Sequence, residues 1–232
     1  MENLICLEHV SKSYSQYPVL NDLSLTFGKG RIIGVLGPNG CGKTTLFKIL
    51  TGLIHDYSGT VTIEGHHPDV FTKSIISYLP EKTYFSKETN IQTAISLFSD
   101  FYSDFQKEKA LNMLSRFNLT LDMKLKSMSK GMQEKLQLIL VMSRQAKIYL
   151  LDEPLSGVDP ATRDTILDTI LTNYNEDATV ILSTHLIYDV ERIFDDVILM
   201  GYGHIIAADS ADNIRAQSGK SLDEYFREVF KC

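Results

Sequence analysis

Residues Gly37-Pro38-Asn39-Gly40-Cys41-Gly42-Lys43-Thr44-Thr45 follow the spacing G-x-x-x-x-G-K-[ST], the pattern of a loop that cradles phosphates. Backbone N–H groups of such a loop converge on one point, and the N-terminus of a following helix adds its own, which stabilises a polyphosphate. Lys43 adds a point charge for β- and γ-phosphates, and the Thr44 hydroxyl is a natural ligand for Mg²⁺. A second chemical feature comes later: the apolar run Ile148-Tyr149-Leu150-Leu151 ends in the adjacent carboxylates Asp152 and Glu153. Asp152 is expected to hold Mg²⁺ through its water shell. Glu153 is expected to orient or deprotonate an attacking water, the task that phosphoryl transfer leaves to a positioned base.

These groups act only if strands and helices bring them together. Ile32-Ile33-Gly34-Val35-Leu36 reads as a buried strand before the loop, and residues 43–50 read as a helix ending near Gly52. Residues 148–151, 180–182 and 197–200 read as further buried strands, and 75–79 as another short one stopped by Pro80. Pro160 suits the first turn of a helix with Asp159 as its N-cap. Residues 3–9, 22–27 and 60–64 alternate apolar and polar, as half-buried strands do. Between about 88 and 145 the period turns helical, with stripes such as Ile91, Ala94, Ile95 and Phe98, or Leu136, Ile139 and Leu140. Leu222, Tyr225, Phe226 and Val229 form a last stripe that predicts a docked terminal helix. The reading is an α/β nucleotide core with a β-rich flank and an inserted helical unit.

A chain of 232 residues, 44% hydrophobic and 22% charged, has the composition of an ordinary globular protein with a sizeable core. Its net charge of −6, with both signs interspersed, gives no electrostatic footprint for nucleic acid. The apolar stretches fall far short of the ~20 residues that span a bilayer, and Met1-Glu2-Asn3 does not open a secretory signal. Cys6, Cys41 and Cys232 are too scattered for a disulfide framework or a metal site. Cys41 reads as a small filler of the loop, although a thiol at a helix N-terminus favours thiolate.

With the phosphate loop and paired carboxylates in place, the chain resembles the nucleotide-binding subunit of an ATP-binding cassette (ABC) transporter over nearly all its length. The family's Leu-Ser-Gly-Gly-Gln segment is matched at Met128-Ser129-Lys130-Gly131-Met132-Gln133, which keeps Ser129 and Gly131. The resemblance implies that Ser129 and Gly131 bind the γ-phosphate of ATP held by a partner subunit, two cassettes closing head to tail over two nucleotides. Ser156-Gly157-Val158-Asp159 resembles the loop that crosses this dimer interface, and His185 matches the switch histidine that senses the γ-phosphate. Tyr14 lies at the aromatic position that stacks on adenine, with Tyr17 as its rival. No Asn-Lys-x-Asp guanine reader occurs, which favours ATP over GTP. Glu81 stands where the family has Gln; its carboxylate can still ligate Mg²⁺ but cannot donate a hydrogen bond to the lytic water.

The implied fold is α/β: a P-loop NTPase core with a mostly parallel sheet, an antiparallel β subdomain and an inserted α-helical subdomain. One domain is expected over 1–232, with the helical part at about 82–145 and a terminal helix at about 221–231. Tyr78-Leu79-Pro80-Glu81 and Ser129-Lys130-Gly131-Met132 resemble a branch of single-cassette subunits that pair with separate membrane proteins, often exporters of peptides or drugs. The resemblance implies ATP and Mg²⁺ as cofactors, and a second copy and a transmembrane permease as partners. It implies a cytoplasmic location, peripheral on the inner face of the cell membrane. An ABC ATPase of a mechanical or sensory membrane complex would carry the same residues.

Overall fold

The computed structural model describes residues 3–175 and 177–231; Met1, Glu2, Glu176 and Cys232 lie outside the described residues. The chain begins with a hairpin, β1 (Asn3–Tyr14) and β2 (Tyr17–Gly28), followed by β3 (Ile32–Leu36), the phosphate loop and α1 (Lys43–Leu50). Next come β4 (Ser58–Ile63), α2 (Val70–Ile75) and β5 (Ile76–Leu79). A helical stretch follows: α3 (Ile91–Phe101), α4 (Lys107–Arg116), a 3₁₀ turn (Leu125–Ser127) and α5 (Lys130–Met142). Strands then alternate with helices through β6 (Ile148–Asp152), α6 (Pro160–Asn173), β7 (Thr179–Thr184) and α7 (Ile187–Val190). The chain closes with β8 (Asp196–Gly201), β9 (His204–Ser210), α8 (Ala211–Ser218) and α9 (Leu222–Phe230).

Two sheets result. β2, β1 and β4 form an antiparallel sheet in that order, and the other six strands run β5-β6-β7-β3-β8-β9. All neighbours in the larger sheet are parallel except β8 and β9. Period-2 alternation divides its side chains between two cores. Ile32, Leu36, Tyr149, Leu151, Val180 and Leu182 pack with the α3–α5 side. Ile33, Val35, Ile148, Leu150 and Ile181 pack against α1 and the antiparallel sheet. With both faces covered, these strands read as continuous apolar runs instead of alternating ones, as a parallel sheet demands.

Local signals decide several boundaries. Ser129 caps α5 by accepting from the Met132 N–H, and Asp159 caps α6 by accepting from the Thr162 N–H. α5 starts at Lys130 because the cap is Ser129 itself. The run 75–79 is divided: Ile75 closes α2, whose start is fixed by a reciprocal Asp69–Thr72 capping box, and the strand begins at Ile76. In the helical stretch, Ile91, Ala94, Ile95 and Phe98 are buried together with Ala110, Met113 and Leu114. Arg144, only 2% exposed, fastens this unit to the sheet. Its guanidinium donates to Asp104 and to the Ile76 and Ser74 carbonyls and lies 3.8 Å from the Tyr102 ring centroid.

Candidate nucleotide-binding site

β3, β6 and β7 are neighbours with their carboxyl ends at one edge of the sheet, where open α/β sheets form a crevice. The phosphate loop follows β3, Asp152 ends β6, and His185 follows β7. The cleft there has a volume of about 540 Å³, and Tyr14, Lys43, Thr44, Glu81, Glu153 and His185 line it. Asn39, Gly40, Gly42 and Thr45 contribute the loop side.

The loop needs glycine for steric reasons. Gly42 has φ +109°, and a Cβ there would lie 2.6 Å from Leu20 Cδ2 and 2.9 Å from the Val19 carbonyl oxygen. As the N-cap of α1, Gly42 offers no side-chain acceptor, and the first turn carries no acidic residue. The N–H groups at this helix start are therefore available to an anion. Lys43 is 5% exposed, and its Nζ donates to the Gly37 and Pro38 carbonyls at 2.7 and 3.3 Å.

Asp152 shares the sheet face of Ile148 and Leu150, which turns it toward α1 and Thr44. The Ser183 hydroxyl donates to its Oδ1 at 2.6 Å, while its Oδ2 is buried without a hydrogen-bond partner. Burial pushes the Asp152 pKa above the usual carboxylate range; hydrogen bonds from Ser183 and Thr44 oppose this, and the Glu153 and Glu81 charges reinforce it. Glu153 adopts φ +50°, a left-handed conformation that reverses the chain so that its side chain returns to the loop. Its N–H donates to the Ser183 carbonyl at 3.1 Å, which holds the turn. One Glu153 oxygen lies 3.2 Å from Lys43 Nζ and the other 2.9 Å from His185 Nδ1. Lys43, Glu153 and His185 thus form one continuous set of contacts.

A Mg²⁺ ion fits the donors present. Asp152 Oδ2 is an unsatisfied buried oxygen, with the Thr44 hydroxyl beside Asp152 and the Glu81 carboxylate on the same cleft. Among the described residues no group of three or more His, Cys, Asp or Glu could cage a metal. One or two protein oxygens plus substrate phosphates is the usual Mg²⁺ arrangement.

Tyr14, 45% exposed, stands at the cleft mouth beside Val19, with Lys12 Nζ 4.8 Å from its ring centroid. Tyr17 is not among the lining residues. Cys41 is 5% exposed, as a loop filler would be, but burial outweighs the nearby Lys43 charge, so its pKa is raised and the thiol form, not the thiolate, is favoured. Ser129, Gly131 and Asp159 do not line this cleft; they sit at the starts of α5 and α6, with Ser129 and Asp159 exposed. Ser183 and Val19 were not singled out from sequence. The run Ser183-Thr184-His185 is the one signal that could have found Ser183.

This fold and cleft define a P-loop ATPase. The ABC transporter family model matches residues 20–156, and the chain belongs to that family as an ATP-binding subunit. It is similar to the ABC transporter ATP-binding protein MJ1023 of Methanocaldococcus jannaschii, 32% identical over 89% of this chain and 77% of that one. It is also similar to the lipopolysaccharide export system ATP-binding protein LptB of Haemophilus influenzae, 28% identical over 91% of this chain and 92% of that one. A solved structure of the ATP-binding subunit of an ABC transporter superposes with a TM-score of 0.87, at 26% identity over 98% of this chain and 99% of that one.

Proposed function

We propose that this ATPase is the energy-coupling subunit of an exporter, that it works as a dimer closing over two ATP molecules, and that it docks on a separate transmembrane subunit. The observation that carries the reading is the contact of Lys43, Glu153 and His185 in one cleft while Ser129, Gly131 and Asp159 sit outside it. Those outer groups serve the nucleotide of a second copy. The loop N–H groups and Lys43 hold the phosphates, Tyr14 stacks on adenine, and Glu153 orients and deprotonates the attacking water. Bound at Thr44, Asp152 and Glu81, Mg²⁺ would neutralise charge on the phosphoryl oxygens. His185 bonds the γ-phosphate and registers its loss. ATP shifts the population toward the closed dimer because it binds that state better.

A groove of about 460 Å³ runs between α1, β5 and α3, lined by Lys48, Lys73, Lys82, Tyr78, Phe98 and Tyr102. An apolar surface continues from it through Tyr84, Leu97 and Phe101, the last 77% exposed. Aromatic walls with a lysine rim suit an amphipathic helix carrying acidic side chains, supplied here by the transmembrane subunit. No helix among the described residues is long and apolar enough to cross a membrane. Likeness to the LptB of an export system supports the outward direction.

The decisive experiment is Glu153→Gln with MgATP, followed by light scattering. A stable dimer is expected; a variant that stays monomeric would sink the mechanism. Phosphate release from the wild type, absent in Lys43→Ala, checks the chemistry.

A further inference from the structure

Tyr78 lines the groove and lies near the metal-facing carboxylate. Parallel pairing sets Tyr78 opposite Leu150 on β6, so Asp152 lies two residues further along on the same sheet face. The Tyr78 ring lines the groove, while its hydroxyl is buried and has no hydrogen-bond partner. Asp152 Oδ2 is also buried and unpartnered. Burial raises the phenol's pKa and the nearby Asp152 carboxylate reinforces the shift, so the hydroxyl keeps its proton and remains a donor. A buried donor and a buried acceptor, each unsatisfied and within reach of one another, favour any small shift that joins them.

We propose that Tyr78 is a positioning residue for Asp152: its hydroxyl donates to Oδ2 and aims the carboxylate at the metal site, and its ring relays occupation of the groove to that bond. The first half stands on the strand register and the two unsatisfied atoms. The relay rests on the docking reading given above. Glu81, Glu153, Ser183 and Thr44 also face Asp152, and of these only Ser183 and Thr44 offer a hydroxyl, so Tyr78 supplies a third. An outer partner of this kind sets the orientation of a ligand without touching the metal.

The test uses Tyr78→Phe, which removes the hydroxyl and keeps the ring. Mn²⁺ binding to the isolated chain with a non-hydrolysable ATP analogue, read by electron paramagnetic resonance, should weaken about tenfold, the usual cost of losing such a partner. Binding of the analogue without metal should be unchanged. Equal Mn²⁺ affinity in variant and wild type, or an equal loss of metal-free binding, overturns the positioning role. In the complex purified with its transmembrane subunit, assembly should change the ATPase rate of the wild type and leave Tyr78→Phe unmoved. The same response to assembly in both overturns the relay. Phe101→Asp, which alters the docking surface and leaves Tyr78 intact, tests docking separately: retained assembly there sinks that reading while the Mn²⁺ result stands.

Discussion

Asp152 is placed where burial disfavours the charge that its proposed role demands. Its pKa is raised in the folded chain, so the fold binds this proton more tightly than the unfolded chain does. Below the carboxylate's ordinary pKa both states are protonated and nothing is lost. As pH rises from the carboxylate's ordinary pKa through the raised one, the cost of the buried charge develops, and it is complete once pH passes the raised value. Asp152→Asn, which keeps an acceptor for Ser183, should therefore raise the melting temperature at pH 7. The gain should vanish at acid pH, and calorimetry across pH checks both signs. The same variant should lose metal-dependent hydrolysis. Lys43, Thr44, Asp152 and Glu153 were legible in the sequence because residue type and spacing alone define what they can do. Ser183 and Tyr78 were not, because their importance comes from register across β5, β6 and β7, which no local pattern encodes. Cys41 was legible as a loop filler but not in its protonation, since exposure is a tertiary property.

The elements were legible where apolar periodicity is long and clean, as in α3 with Ile91, Ala94, Ile95 and Phe98 on one buried face. They were obscured where two elements meet without a break. Ile75 and Ile76 are adjacent apolar residues in a helix and a strand, and only the capping box at Asp69 and Thr72 marks the change. β9 was missed because the exposed edge strand His204–Ser210 buries no residue fully and carries no core signal. Between elements, Arg144 does the joining, linking the end of α5 to Asp104 and to carbonyls of α2 and β5. Arg144→Met should destabilise the chain by about 3 kcal/mol, because it leaves Asp104 and two carbonyls without their donor. Urea unfolding measures the loss. A midpoint equal to that of the wild type would show that the helical unit is held by apolar packing alone.

At the scale of the whole molecule, the mostly parallel sheet gathers the ends of β3, β6 and β7 at one cleft, and the groove proposed for docking opens beside β5 at the edge of the same sheet. The α/β core and helical unit were readable from the alternation of element types and the mostly parallel sheet from the resemblance, whereas the groove was not, because its walls come from α1, β5 and α3 together. Ser129 and Gly131 do not face the cleft of their own chain, and that has a consequence for rate. If each active site needs two chains, specific ATPase activity of the isolated protein should climb with its concentration and collapse on dilution, and an activity per chain independent of concentration would contradict the shared site. A membrane complex that tethers two copies removes this dependence. The tether supplies an effective concentration in the millimolar range for short links, whatever the abundance of the chain in the cell. The split site would then act as a lock on futile turnover: a chain adrift from its transporter would carry both halves of a site that it cannot bring together, and would consume little ATP.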